Sequence, residues 1–406
     1  MTRWITVALV VWSTVQAPTP GLGVDAGARA VAWFGAREAE FVELRHDLHR
    51  HPELSGAETR TAGIVADRLK RAGLDVRTGV GGQGVVALLR GGKPGPVVAY
   101  RADMDAVRSP APDPVDYRSL TPGIRHICGH DVHTTIGIAL AEALASARGE
   151  LAGSVVFLFQ PAEENATGAN AMLAAGALDP HRPRAIFAVH TAPLPVGEMV
   201  TARETLMPAR DIARFTIAAP PGSDAVAKLD VLVAAAATVG RQDAFRSTTA
   251  PFSVHDRSAI VHRPDGSTGL VAQFTVSGPS ARAPLREKIA AAIAAQAPAA
   301  KIDLVYEAEW VAGVKNAPAV VDRAVGAART TLGESAVRLI ETMIPAFSED
   351  FGSFQARVPG AFFFLGVSNP AKNTVGMPHS PDYVADDGAI AVGVRAMTAV
   401  LIDALR

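Results

Sequence analysis

The sequence predicts an α/β protein of two domains, in which a mostly parallel sheet is interrupted by a smaller α+β insert. Three observations carry this expectation. Helical and strand patterns alternate from Val132 to Val189, which argues for parallel strands covered by helices on both faces. Near Asp211 the alternation gives way to short strands and alanine-rich helical stretches, and near Ala317 it resumes. The chain has 406 residues, 49% of them hydrophobic, enough for two cores.

The elements follow in order. Met1 to Ala17 sets Arg3 ahead of an apolar run from Trp4 to Val15 and ends in Val15-Gln16-Ala17, the pattern of a secretory signal peptide. The run is short for a spanning helix, which needs about 20 residues. The expectation is therefore a secreted or periplasmic protein with no stable membrane span after signal removal. The first part of the larger domain, residues 30–210, opens with a helical pattern from Glu38 to Gly73, marked by Phe41, Leu44, Leu48, Ile64 and Leu69 and interrupted at His51-Pro52. Val76 to Thr78, Val85 to Leu89 and Val97 to Tyr100 read as strands between glycine-rich turns. Then come a helix from Val132 to Ala147, a strand from Ser154 to Phe159, a helix from Ala166 to Ala175 and a strand from Ala185 to Val189.

The insert, residues 211–314, carries a strand from Phe215 to Ala218, a helix from Leu229 to Val239, several short strands and a helix from Leu285 to Ala295. Residues 315–406 return to the first pattern, with a helix, the strand Ala361 to Gly366 and a closing helix from Asp387 to Leu405.

Composition excludes some partners. Net charge is -1 with both signs interspersed, so no basic stripe exists to neutralise phosphates and nucleic acid is not a partner. Gly79 to Gly84 satisfies the dinucleotide fingerprint letter for letter, but a strand follows it rather than the helix whose N-terminus would hold a pyrophosphate. A hairpin turn is the better reading.

Ligand-type residues collect where strands end. Val97 to Tyr100 leads to Asp103 and Asp105, Val155 to Phe159 leads to Glu163 and Glu164, and Ile186 to Val189 leads into His190. Open α/β sheets bind ligands at the carboxyl ends of their strands. Cys128, the only cysteine, and His130 stand two apart just before a helix, so both can face one side. Asp131 is the expected cap, and the helix N-terminus favours the thiolate that ligates metal. Several anions crowded in a partly buried site cost several kcal/mol or more each unless they protonate or meet a cation. A pair of divalent ions resolves the conflict, and a Cys, His and Glu donor set suits zinc and its neighbours. His46, His49, His51 and His133 read as supporting, helix-face or turn residues, and His181, His255 and His262 as surface residues. The rival is a thiol hydrolase dyad of Cys128 with His130 or His190, which leaves Glu163 and Glu164 without a role.

Five motifs resemble the M20 metallopeptidases: His49 to Ser55 with Glu58 and Thr61, Arg101 to Ala106, Cys128 to Thr134, Gln160 to Glu164, and Ser348 to Phe351 followed by His379-Ser380. The group they are most similar to is the amidohydrolase branch, which includes hippurate, N-acyl amino acid and auxin-conjugate hydrolases. The resemblance implies a catalytic α/β domain with an inserted lid domain that often carries a homodimer interface. It also implies two divalent ions, zinc or manganese, bridged by Cys128 and further held by His130, Glu164, His190 and His379. Glu163 would be the general base for a metal-activated water that attacks the amide bond of a small N-acyl amino acid or related compound. Asp103 and Asp131 would orient ligands.

Two features depart from the family. Relatives carry a glycine-histidine motif early in the lid, where this chain reads Ala218 to Ser223 with no histidine. They also carry an Asn-Val-Ile-Pro segment followed by a carboxylate-binding arginine, and Ser267 to Val276 has neither. An oxyanion donor is worth roughly 100-fold or more in rate, so a second reading is a metal- or ligand-binding homologue with weakened or lost catalysis.

Overall fold

The computed structural model describes residues 26–218, 224–237, 247–263, 267–295 and 300–406. The signal-peptide stretch from Met1 to Ala17 and residues 219–223 of the early insert lie outside them.

The described residues open with helices α1 (Ala26–Gly35), α2 (Glu38–Arg50) and α3 (Thr59–Arg71). Pro52 divides α2 from α3, because it lacks an N–H and drives the residue before it out of the helical region. Strands β1 (Asp75–Thr78) and β2 (Val85–Arg90) pair antiparallel across the glycine run, which is therefore a hairpin turn. There follow β3 (Lys93–Asp103), the two-residue pair β4 (Val107–Arg108) and β5 (Ile124–Arg125), α4 (His130–Ser146), β6 (Ala152–Gln160) and α5 (Gly168–Ala174). β7 (Ile186–Pro195), β8 (Met199–Ala202) and β9 (Glu204–Met207) complete this stretch.

The insert contains β10 (Ala209–Ala218), α6 (Ala225–Ala237), β11 (Ser253–His262), β12 (Thr268–Val276), α7 (Pro279–Ala294) and β13 (Lys301–Val311). The chain then forms β14 (Val314–Asn316), α8 (Pro318–Leu332), β15 (Val337–Ile340), α9 (Gly352–Gln355), β16 (Gly360–Ser368) and α10 (Gly388–Ala404).

Eight strands make the main sheet in the order β1-β2-β6-β3-β7-β16-β8-β15. Its centre, β6-β3-β7-β16, is parallel, while β2 against β6 and β8 against β16 are antiparallel. Both faces are covered, and β2 shows how: Val85, Ala87 and Leu89 enter the core beneath α1 to α4 and α10, while Val86 and Leu88 enter the opposite one. That is the period-2 alternation of a strand buried on both sides. Helix α4 is buried along nearly its whole length, as expected of a helix apolar on every face. It starts at His130, two residues earlier than the sequence pattern suggests.

The insert folds around its own antiparallel sheet, β11-β12-β10-β13, with α6 and α7 on one face over Phe215, Leu270, Phe274, Leu229 and Leu285. Buried Asp211 ties this unit together. It accepts from the Arg282 guanidinium at 2.6 and 3.0 Å, the Tyr306 hydroxyl at 2.7 Å and the Glu309 backbone N–H at 2.7 Å.

Candidate metal centre

Four separate stretches deliver side chains to one rim of the main sheet. Strands β3 and β6 end at Asp103 and Gln160 and are neighbours in parallel register. The chain leaving β6 turns sharply at Ala162, whose φ is 55°. The carboxylate of buried Glu58 holds that turn by accepting the Ala162 N–H at 2.8 Å, which aims Glu163 and Glu164 back across the strand ends. Gly129 sits between Cys128 and His130 with φ 87°, and a Cβ there would run into the side chains of Tyr383 and Thr191. Only glycine allows that approach. The Thr191 hydroxyl donates to the Cys128 carbonyl at 2.6 Å, and the His379 N–H donates to the Ile127 carbonyl at 2.8 Å. The late His379 loop is thereby fixed against the Cys128 segment.

The five expected ligands consequently lie together. Cys128 Sγ is 3.4 Å from His190 Nε2. Ligand atoms of Cys128, His130 and Glu164 all lie within 4.8 Å of one another, with His130 Nε2 3.7 Å from Glu164 Oε1. His379 Nε2 is 3.2 Å from Glu164 Oε2. Glu163 Oε2 approaches to 3.8 Å from His130 Nε2.

The residues fit a cation cluster on two counts. His130 Nε2 and Glu164 Oε1 are buried and have no hydrogen-bond partner, an arrangement that costs about 1–3 kcal/mol per group unless something else binds there. Charge gives the second count. Burial, then Glu164, Glu163 and Asp103, push the Cys128 thiol well above its usual range. Burial, then Glu349 and Glu164, push the Glu163 carboxyl well above its own. Burial pulls the His130 imidazole down, but Asp103 and Asp105 outweigh it and leave it raised to about 10. Only added positive charge lets these donors take their ligating forms together.

Some expectations are corrected. Asp131 does not cap α4: Gly129 holds the cap position without a side-chain bond. Asp131 instead accepts from Arg45 at 3.0 Å and from His49 Nδ1 at 2.8 Å, neither of them a ligand candidate. Asp103 makes no hydrogen bond to His130, standing 3.8 Å from its Nε2. It accepts from His133 Nδ1 at 2.6 Å and from Arg101 at 2.6 Å, and Asp105 takes the other role, with Oδ1 3.1 Å from His130 Nδ1. The helix start does not generate a free thiolate, because burial and then three carboxylates outweigh it, so Cys128 lacks the activation a nucleophile needs. His133 belongs to the same cluster but has no lone pair to offer a metal, since its Nε2 accepts the Thr191 N–H at 2.8 Å.

A cavity of about 510 Å³ opens over the centre and reaches the insert, whose Arg210, Asp256, Arg257, Gln273 and Trp310 line its far wall. The Arg257 guanidinium donates to Gln273 Oε1 at 2.6 Å and forms no ion pair with a carboxylate among the described residues. Sequence reasoning looked for such an arginine in β12 and missed it on the neighbouring strand β11. Beneath Glu163 lies a further group the sequence showed only as a motif. Glu163, Glu349 and Asp350 bring carboxylate oxygens within 4.8 Å of one another, and fully buried Arg101 donates to Glu349 at 2.7 and 3.1 Å.

The sequence profile of peptidase family M20/M25/M40 matches residues 99–403. A Synechocystis sp. relative assigned no further than hydrolase is 34% identical over 378 residues, which cover 88% of this chain and 93% of the relative. The IAA-amino acid hydrolase ILR1-like 5 of Arabidopsis thaliana is 27% identical over 376 residues, 88% of this chain and 85% of that one. The crystal structure of the Bacillus subtilis YxeP protein, a dinuclear metal binding peptidase from the M20 family, superposes with a TM-score of 0.75 at 26% identity, covering 91% of this chain and 98% of that chain.

Proposed function

The chain belongs to peptidase family M20/M25/M40, and from that premise we propose that it is a metal-dependent amidohydrolase cleaving the amide bond of small N-acyl amino acids or related peptide-like compounds. The observation that carries this reading is the meeting of Cys128, Glu164, His190 and His379, with buried His130 beside them, at the floor of a cavity whose far wall offers Arg257. Cys128, His130, Glu164, His190 and His379 would hold two divalent ions, zinc or manganese. The pair would supply Lewis-acid polarisation of the carbonyl and lower the pKa of water.

Glu163 is the proton carrier. Its carboxyl lies beside His130 and over Glu349, in surroundings that raise its proton affinity. A base so tuned takes a proton from the attacking water and returns it to the leaving amine nitrogen. Arg257, with no carboxylate of its own, receives the carboxylate of the amino acid half. Arg101 pairs with Asp103, Glu349 and Asp350 and offsets part of the negative charge below Glu163.

Two further parts of the reading concern the whole protein. β11 is an edge strand that exposes Ile260 and Val261, and α6 exposes Val231. An open apolar edge invites pairing with a second copy, so the insert is the proposed homodimer interface, checked by sedimentation of wild type against Val261→Lys. The charged-then-apolar run before Ala17 supports export, which N-terminal sequencing of the mature protein checks. No helix among the described residues is long and apolar enough to cross a membrane.

The function is tested with N-acetyl, N-benzoyl and indole-acyl amino acids, assayed with and without chelator. Turnover that disappears with the metal and returns on reloading supports the proposal. Failure of every substrate by fully loaded protein makes the chain a binder instead.

A further inference from the structure

A second cavity, of about 800 Å³, adjoins the one over the metal centre and shares Arg210, Asp256 and Ala346 with it. Its remaining wall is mainly apolar: Phe252 and Val254 at the start of β11 face Met343, Ile344 and Pro345 from the loop after β15. Phe252 and Met343 are buried against each other, with Val254 packed on them, in a cluster separate from the three larger cores. The two charged groups in the shared wall cancel: Arg210 donates to Asp256 at 2.7 Å and to Thr275, whose hydroxyl also donates to Asp256 at 2.7 Å. His255, expected at the surface, is half-buried on this wall and occupied with Ser258 at 2.7 Å.

We propose that this second cavity is the acyl subsite of the enzyme and that it takes an aliphatic acyl chain longer than acetyl. The inference rests on the amidohydrolase reading above. A substrate whose carbonyl lies at the metal centre has two halves to place, and the cavities differ in what they accept. The first presents the guanidinium of Arg257, bonded to Gln273 but paired with no carboxylate among the described residues, which suits a carboxylate. The second offers hydrocarbon and a neutralised ion pair, so an anion would find no counter-charge there, whereas an apolar chain leaves water without stranding any polar group. Its volume falls within the roughly 300–1,000 Å³ typical of small-molecule sites. The Arg210–Asp256 pair is the boundary between the two halves, and because it lies at the common edge of both cavities, a chain passes along it on the way from the carbonyl to Phe252 and Met343.

The test is an acyl-length series, N-acetyl, N-hexanoyl and N-decanoyl, on glycine, phenylalanine and glutamate, with wild type, Val254→Trp and Ile344→Phe loaded with metal. Each methylene that enters the cavity is expected to raise kcat/KM about fourfold until the space is filled. Each substitution is expected to lower the ratio of decanoyl to acetyl kcat/KM at least tenfold, and because this is a ratio, any loss of folded protein cancels. A flat length profile, or ratios unmoved by both substitutions in an enzyme that does hydrolyse the N-acetyl compounds, overturns the acyl subsite alone. No hydrolysis of any compound by metal-loaded wild type overturns the amidohydrolase reading and the subsite with it.

Discussion

The carboxylate of Asp105 stands 3.1 Å from the Nδ1 of His130. Its second oxygen accepts the backbone N–H of Glu164 at 3.0 Å and the Ser55 hydroxyl at 2.6 Å. One buried side chain thus sets the ring orientation of His130 and the backbone position of Glu164, two of the side chains proposed to hold the metal. Partners of this kind are worth about 10- to 100-fold in metal affinity. Asp105→Ala is expected to lose metal to a competing chelator at concentrations about that much lower than wild type requires. Metal retention equal to wild type would remove Asp105 from the site.

Glu163→Gln keeps the size of the side chain and removes its ability to hold and pass a proton. Proton transfer by a positioned group contributes about 10²- to 10⁴-fold, so turnover is expected to fall by that much while metal stoichiometry stays at the wild-type value. The variant removes one negative charge near the ions but none of the five side chains proposed to hold them, so the stoichiometry is compared at saturating metal. Wild-type activity in Glu163→Gln would assign the base elsewhere.

Much of this arrangement was legible before the fold. Val97 to Tyr100 and Ser154 to Phe159 announce buried strands by their apolar runs, and the ligand-type residues beyond each run mark the rim. The insert announced itself by a change of pattern near Asp211. What stayed hidden depends on contacts between distant segments. Nothing local in Asp103 and Asp105 says which of them turns to His130; that is decided by Arg101 and His133, which claim Asp103 first. Asp131 has the composition of a helix cap, yet buried Arg45, 86 positions earlier, takes its carboxylate. Arg257 escaped notice because the strand searched, β12, was one strand away, and only the sheet order brings β11 to the cavity wall.

Arg257 gives a prediction about recognition. A hydrogen-bonded contact to a charged group is worth about 1.5–3 kcal/mol, which corresponds to about 10-fold or more in kcat/KM. Arg257→Ala is expected to lose that factor on N-acyl amino acids and to lose little on the same compounds with the carboxylate converted to an amide. Equal losses on both series would mean that the guanidinium shapes the insert and does not read the substrate.

A pH effect follows from His49. Its Nδ1 meets Asp131 at 2.8 Å and its Nε2 meets Asp113 at 3.0 Å, so the ring donates to both carboxylates only as the imidazolium. Burial opposes that charge, and Arg45 opposes it more weakly, but the two carboxylates prevail and the pKa is raised. Burial likewise acts against the Asp113 carboxylate, and His49 reverses it, holding that group below its usual range. The stability due to the raised histidine is complete below its unfolded value near 6.5 and is lost as pH rises through the folded value. The part due to Asp113 is present above its unfolded value of about 3.9 and is lost as pH falls through the folded one. Asp113→Asn is therefore expected to lower the thermal midpoint more at pH 6 than at pH 9, with metal loading held equal. A gap that does not change with pH would mean that His49 is neutral.

Cys128 separates the metal reading from its thiol rival. As one of the side chains that would hold the ions, Cys128 supplies a donor that alanine lacks, so Cys128→Ala is expected to lower metal stoichiometry and turnover together, and excess metal should restore part of both. As a nucleophile, the same substitution would abolish turnover with metal content untouched. The burial and crowding that hold the thiol protonated in the absence of cations give a further handle: thiol-directed alkylation should be slow in both forms of wild type, because metal-free protein has no thiolate and loaded protein has its thiolate coordinated. Rapid alkylation of loaded enzyme, with loss of activity but not of metal, would leave the nucleophile as the surviving account.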